Sequence, residues 1–298
     1  MELRQLKYFI SAAKHLNFTK AAAECYIVQT SMTHQIAALE DELGVKLFER
    51  KSRNMELTEA RKIFLKEAQS LLAGAERAAE LVRMTAEGYE SILRLGVCGK
   101  ILARELPKIL RTFRLAYPAV RVRINQDTLE KQLEMLETGE LDCVIALDYD
   151  YFDTIPWLKK RTLFQDRVML AVPKDNPLAN REEVRLEDLK NEKFFVFYEK
   201  GVGEKTIGCA KEGLVLNVVE EMRSPDAAAL MVQAGYGVGF CMECTWDGTD
   251  EFVKHVPVRS ENSTNGIVLL HKHGNQRAAL RQRKEILEQY PFPDKRLD

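Results

Sequence analysis

The sequence predicts an α/β protein in three parts: a small helical head ending in a β-hairpin, one long helix, and a larger unit of alternating strands and helices. Three observations lead there. Residues 17–43 carry two short helical patterns separated by Tyr26, Ile27 and Val28. Residues 58–88 contain no proline, and Phe64, Ala68, Leu71, Ala75, Ala78 and Val82 recur at four-three-four-three-four, the spacing of a coiled-coil seam. From Ser91 onward, short apolar runs alternate with helical patterns, as in an α/β sheet.

Taken in order, residues 4–16 form a first helix with Leu6, Phe9, Ile10, Ala13 and Leu16 on its inner face. Asn17 and Thr19 supply the start of the second helix, where Ala21, Ala22 and Ala23 permit close approach. The third helix places Met32, Ile36, Leu39 and Leu43 on one face and Gln29, Thr30, Thr33 and His34 on the other, and Gly44 stops it. An apolar inner face with a polar leading edge suits a helix that enters a DNA major groove. A helical hairpin buried in a core has the same pattern, so the flanks decide. After Gly44 comes LFERKSRNMELT: an apolar Leu47–Phe48 pair, a basic tip of Arg50, Lys51 and Arg53, and Leu57 returning to the core. That is a two-stranded wing. Charged residues (Lys62, Lys66, Glu67, Glu76, Arg77, Glu80, Arg83) flank the seam of the long helix. The stripe is therefore predicted to pair with a second copy, up to the stop at Gly88.

In the remaining chain the strands are predicted at 92–98, Val120–Ile124, Cys143–Ala146, Arg167–Val172, Phe194–Phe197, Val215–Val219, Gly237–Cys241 and Ile267–Leu270. Helices carry Leu106, Ile109, Leu110 and Phe113, then Leu129, Leu133 and Leu136, then Leu230–Gln233. This alternation predicts a mostly parallel sheet.

Composition sets outer bounds. A chain of 298 residues with 46% hydrophobic content buries a sizeable core and divides into two or three domains. Charges interrupt the start, MELRQLKYFISAAKHL, so it is not a signal peptide, and no apolar run reaches membrane-spanning length. A soluble, cytoplasmic chain is expected, with its six cysteines as thiols. No glycine-rich phosphate loop, HExxH or GxSxG is present, so neither an enzyme nor a resident cofactor or metal is expected.

Residues 1–70 resemble the N-terminal region of LysR-type transcriptional regulators. Leu3–Arg4, Leu6, Phe9, Phe18–Thr19, Ala21–Ala22, Gln29, Ile36, Leu39–Glu40, Gly44, Leu47–Phe48, Arg50, Arg53 and Leu57–Thr58 carry the match. Leu95–Gly96, Pro107, Phe113, Tyr117–Pro118, Gly139, Leu141–Asp142, Asp166, Pro177–Leu178, Gly235 and Gly237 extend it more loosely. The resemblance implies a winged helix-turn-helix (1–58), a linker and dimerisation helix (59–89) and an effector-binding domain (90–298). That domain would have two α/β subdomains, 90–162 with 268–298 and 163–267, around a cleft like that of type 2 periplasmic binding proteins. It implies promoter DNA, a small-molecule effector, a second copy or a dimer of dimers, and RNA polymerase as partners, with no membrane.

By the same resemblance Gln29 and Thr30 read base edges, while Thr33, His34, Arg50, Lys51 and Arg53 hold phosphate or the minor groove. The chain departs from the family at several of these places. Val28 replaces a capping serine, Thr30 a frequent proline, Thr33 a serine and His34 an arginine or lysine. Arg61 stands where glycine is common, which predicts an unbroken helix there. The head carries eight basic against seven acidic side chains through Thr58, so a single head binds weakly and a dimer or tetramer is favoured.

For the effector, the candidates are Cys98, Gly99 and Lys100 after the first strand, Thr128 at the next strand–helix junction, and the loop glycines Gly201 and Gly203. Lys100 replaces a usual Ser or Thr. A lysine beside helix N–H groups favours an anion such as a carboxylate or phosphate. Two other readings stay open. Cys241 and Cys244, with His271 and His273, could bind zinc or sense redox state, and the chain could be a ligand-binding module whose head serves protein contacts alone.

Overall fold

The computed structural model describes residues 1–51, 54–57, 59–197, 215–222, 224–245, 250–260 and 263–274, with 49–51, 54–57 and 59 described by their backbone alone. Two compact units emerge, one of Met1–Glu87 with Glu137–Glu140, the other of Gly88–Leu136 with Leu141–Asp298.

The first unit is built from α1 (Leu3–His15), α2 (Phe18–Glu24), α3 (Gln29–Leu43), the hairpin β1 (Phe48–Lys51) and β2 (Asn54–Leu57), and α4 (Glu59–Thr85). Asn17 caps α2, its Oδ1 accepting the Thr19 and Lys20 N–H groups at 2.9 and 3.1 Å. Gly44 closes α3 with a left-handed φ of 69°, a conformation nearly free of strain for glycine. Leu6, Phe9, Ala12, Ala21, Ala22, Met32, Ile36, Leu39 and Leu47 bury together; of the predicted inner face of α1, Leu6, Phe9 and Ala13 are buried and Ile10 is half-buried, but Leu16, which follows the last turn in a left-handed conformation, is exposed.

The long helix runs unbroken through Arg61, as expected, but its stripe divides. Ala68 is buried in the head's own core and Phe64 packs on it, the Phe64 ring lying 4.9 Å from that of Phe9. Farther along, Leu71 and Val82 are 49% and 73% exposed, Ala78 is exposed and Ala75 half-buried.

The second unit contains β3 (Ser91–Val97), α5 (Leu106–Ala116), β4 (Val120–Asn125), α6 (Leu129–Thr138), β5 (Cys143–Leu147), β6 (Leu158–Pro173), β7 (Val184–Arg185), β8 (Lys193–Phe197), β9 (Asn217–Met222), α7 (Pro225–Gln233), β10 (Gly239–Met242), β11 (Val253–Arg259) and β12 (Thr264–Lys272). Among the described residues one sheet runs β4-β3-β5-β12-β6-β11-β7, with β10 also on β6, and β8–β9 form a separate pair. The sheet is mixed, not mostly parallel. β4, β3 and β5 are parallel, whereas β12 is antiparallel to both β5 and β6, and β10 and β11 are antiparallel to β6. The cause is the path of the chain: β6 leaves the first lobe, so the strand that comes back must run the other way.

Alternation along the strands fills two layers in the first lobe. Cys143, Ile145, Ile267 and Leu269 point to the side of Ile109 and Phe113. Val144, Ala146, Val268 and Leu270 point to the side of Leu129, Leu136 and Phe152. Burial on both faces explains the continuous apolar runs. A separate core of Val168, Leu170, Val172, Phe194, Val238, Val256 and Val258 makes the second lobe. The sequence reading missed the first half of β6, whose LKKRTLFQD is largely polar, and it missed β7 and β11.

One ionic cluster joins α1 to α2. The Glu24 carboxylate accepts hydrogen bonds from Lys14 and Ser11, and His15 Nε2 lies 3.1 Å away. Lys14, and then Ser11, hold its carboxyl at about 2, below the usual 4.5. A depressed carboxyl pKa adds stability that is complete above the unfolded value and is lost as pH falls through the folded one. Acid unfolding followed by circular dichroism should therefore begin at higher pH in Glu24→Gln than in the wild type. The shift should be small because the cluster is exposed.

Candidate nucleic-acid interface and ligand cleft

The exposed end of α3 begins at Val28, which caps the helix with no side-chain hydrogen bond. Gln29, Thr30 and His34 are exposed there and Thr33 is half-buried. Thr33 Oγ1 donates to the Gln29 carbonyl at 3.0 Å and accepts from Gln29 Nε2 at 3.3 Å. The threonine expected on phosphate thus orients the glutamine beside it. Arg50 and Lys51 lie on β1, in register with Met55 and Asn54. Arg53 lies outside the described residues.

Sequence reasoning missed two residues beneath the wing. Glu40 is buried, and its Oε1 accepts the N–H groups of Leu47 and Phe48 at 2.9 and 3.1 Å, while Lys46 pairs with Oε2 at 2.9 Å. It sits four residues after Ile36 and one after Leu39, on the edge of the apolar face. That spacing was the available signal, obscured by the neighbouring acids Asp41 and Glu42. Arg61 on α4 is fully buried, and its guanidinium carbon lies 4.1 Å from the centroid of the Phe48 ring, a cation–π contact. Burial lowers its pKa to about 10, so the guanidinium remains charged at neutral pH. The sequence flagged Arg61 only as a helix-preserving departure from glycine.

In the second unit, β3 leads into Cys98, Gly99 and Lys100. Cys98 N–H donates to the Ile145 carbonyl at 3.1 Å, and Gln126 Nε2 donates to the Gly99 carbonyl at 3.2 Å, tying this loop to the one after β4. Gly99 adopts φ 56°. The expectation that Lys100 stands at a helix start is not met: turns occupy 99–105, Leu102 takes a left-handed φ of 60° and α5 starts only at Leu106. The Lys100 ammonium instead lies 4.0 Å from Asp226 Oδ1, in the first turn of α7. A Cβ on Gly99 would lie 3.7 Å from Pro225 Cγ, and Ala103 N–H donates to the Cys244 carbonyl at 3.2 Å. The loop after β3 therefore meets the second lobe directly. Thr128 is exposed and precedes α6, its Oγ1 accepting the Lys131 N–H at 3.3 Å. Gly201 and Gly203 lie outside the described residues.

The four proposed zinc ligands do not come together. Cys241 pairs with Met169 on β6 and His271 with Lys159, places separated by roughly 30 Å at strand spacing. Among the described residues no group of three or more His, Cys, Asp or Glu could hold a metal ion. The Cys241 thiol lies 3.8 Å from the Met169 carbonyl. Burial, with Asp250 and Asp166 nearby, pushes its pKa up to about 12. No helix among the described residues is long and apolar enough to cross a membrane.

A winged helix-turn-helix joined by a long helix to a two-lobed α/β ligand domain defines a class, the ligand-responsive DNA-binding regulators. Comparison with known proteins makes it specific. Residues 3–60 match the bacterial regulatory helix-turn-helix proteins of the lysR family, and residues 86–290 match the LysR substrate binding domain. The chain is 32% identical over 244 residues to the HTH-type transcriptional regulator AlsR of Bacillus subtilis (strain 168), covering 80% of each. It is 30% identical over 244 residues to a hydrogen peroxide-inducible genes activator of Dickeya chrysanthemi, covering 80% of this chain and 78% of that one. Full-length CbnR, crystallised with its target DNA, superposes with a TM-score of 0.70 at 26% identity, over 96% of this chain and 99% of that one. The chain belongs to the LysR family: it is a DNA-binding transcriptional regulator with an effector-binding domain.

A thiol near pKa 12 holds on the order of a thousandfold less thiolate at pH 8 than an ordinary one. Alkylation with iodoacetamide, followed by mass spectrometry, should therefore leave Cys241 unmodified in the native protein long after it reacts in urea. Rapid native modification would favour the redox reading.

Proposed function

We propose that the exposed end of α3 reads the promoter, with Gln29 and Thr30 on base edges and Thr33 holding the Gln29 amide. The carrying observation is the helix itself: Met32, Ile36 and Leu39 are buried, so Gln29, Thr30 and His34 are left to face outward. The amide of glutamine matches the N6 and N7 edge of adenine. The wing residues Arg50, Lys51 and Arg53, with His34, supply phosphate or minor-groove contacts.

The reading extends to assembly. The later part of the α4 stripe, in which Leu71, Ala78 and Val82 are exposed and Ala75 half-buried, pairs two copies, while Phe64 and Ala68 anchor the stripe in each head. The functional parts are the head at 1–58, the linker at 59–89 and the effector domain at 90–298, and the head and its bound promoter are what RNA polymerase meets.

The effector is a small organic anion held between Lys100 and the loops carrying Cys98, Gly99 and Thr128. Supporting this, Lys100 already has a carboxylate, Asp226, within 4.0 Å. An anionic ligand would take that place and add contacts of its own. A ligand acts only through its difference in affinity between two states of the protein. Binding in the cleft would therefore favour one arrangement of the lobes and so one spacing of the paired heads.

Fluorescence anisotropy on the duplex upstream of the protein's own reading frame, with scrambled competitor at several salt concentrations, tests the DNA reading. Gln29→Ala should weaken specific binding by ~1–3 kcal/mol and leave nonspecific binding nearly intact; equal loss on both duplexes would refute the base-reading role. For the cleft, a thermal-shift screen of small carboxylates and phosphates should yield a stabilising anion whose effect disappears in Lys100→Ala and grows in Asp226→Asn. Undiminished stabilisation in Lys100→Ala would place the anion elsewhere.

A further inference from the structure

Phe48, the first residue of the wing, is gripped from all four helices of the head. From α3, the Glu40 carboxylate accepts the N–H groups of Leu47 and Phe48. The Arg61 guanidinium of α4 covers the Phe48 ring at 4.1 Å. The rings of Phe9 on α1 and Phe18 on α2 meet it edge-on at 5.9 and 5.1 Å. The other root of the hairpin is equally short of freedom. Leu57, the register partner of Phe48, ends β2, and α4 starts two residues later at Glu59. One strand of the wing is thus joined covalently to the first turn of α4, and the other is held to that turn by Arg61.

A two-stranded hairpin has little stability of its own and takes its direction from what packs at its base. A leucine or methionine could fill the same space without burying a charge. A flat cation stacked on a ring adds what an aliphatic chain lacks, a preferred face and angle. Glu40 acts in the same place through backbone geometry, because two N–H groups converging on one oxygen leave the strand a narrow range of exit directions.

We propose that Arg61 is a positioning residue for DNA binding: with Glu40 it locks the wing to the base of α4, so that the pairing geometry of the linker helices dictates where Arg50, Lys51 and Arg53 fall along the phosphate backbone. The proposal rests on the reading of the wing as a phosphate-binding element. It makes the linker helix more than a dimerisation strut, since a change in its crossing would turn the wing with it.

The test uses the full-length protein with two substitutions. Arg61→Met keeps the buried stem and removes the planar charge; Arg61→Lys keeps the charge and removes the plane. Amide hydrogen exchange, read by mass spectrometry, needs no DNA. Wing amides from Leu47 to Leu57 should exchange on the order of tenfold faster in both variants, with α1–α3 protection unchanged. The second readout is the slope of log affinity against log salt on a duplex. Each lost phosphate contact lowers its magnitude by about 0.9, so loosening the wing should lower it by at least about 1 and by up to about 3 per head, while the preference over scrambled DNA remains.

Unchanged wing exchange and an unchanged slope in a folded Arg61→Met protein would overturn the proposal. So would faster exchange spread evenly over α1–α3 and the wing, which would make Arg61 a core filler. Full rescue by lysine would overturn the stacking argument. If the wild type itself binds duplex without salt dependence, the phosphate-binding reading of the wing fails, and the exchange result still decides whether Arg61 locks it.

Discussion

Among the described residues, the ladder between β6 and β12 ties the two lobes of the C-terminal unit together. From Thr264 opposite Arg167 to Lys272 opposite Leu158, β12 is paired along the first part of β6, and the remainder of β6 carries β10 on one side and β11 on the other. A single strand of 16 residues therefore belongs to both lobes. The register shifts between Ile267 and Val268, where the pairing skips Leu163. A bulge bends and twists a strand locally, here within the part of β6 that pairs with β12.

Buried polar groups pin the elements near that strand. Asp142 is buried and accepts the Arg94 N–H at 2.9 Å. Asp166, within β6, is fully buried and accepts the Cys244 N–H at 2.8 Å. A buried carboxylate without such partners would be strongly destabilising, and with them it fixes one arrangement of the surrounding loops. The loop from Cys98 to Ala103 touches the second lobe at Pro225, Asp226 and Cys244. Of the candidate ligand residues, Gly99 and Lys100 thus lie where the lobes meet. The head follows the same logic on a smaller scale. Its apolar interior orients α3, and its two buried charges, Glu40 and Arg61, converge on the root of the wing.

Much of the head was legible because local chemistry and tertiary packing agree there. Asn17 caps, Gly44 terminates, and Leu6, Phe9, Met32, Ile36 and Leu39 are buried as their spacing implies, whereas Leu16, at the end of α1, is exposed. Glu40 escaped because a glutamate among acids reads as solvated, although its spacing from Ile36 places it at the buried edge. The apolar spacing of α4 is one continuous stripe, whereas its first turns serve the head and Leu71, Ala78 and Val82 farther along are exposed. A periodic pattern shows which side of a helix is apolar and leaves open which partner covers it. In the cleft, Lys100 was placed at a helix start because a strand followed by glycine commonly leads into one. Leu102, in a left-handed conformation that leucine rarely adopts, delays α5 and brings Lys100 to α7 instead.

By itself the sequence determined the helices of the head, the long helix after them and the change to alternating strands and helices beyond Ser91. These follow from periodicity, caps and breakers, which act over a few residues. It also determined the family, through a dense set of matched positions in the head. Only the tertiary structure decided the order and direction of the strands, the sharing of β6 between lobes, the separation of Cys241 from His271, and the meeting of Glu40, Phe48 and Arg61. Those are contacts between residues far apart in the chain, and their geometry is set by packing, on which local residue preferences are silent.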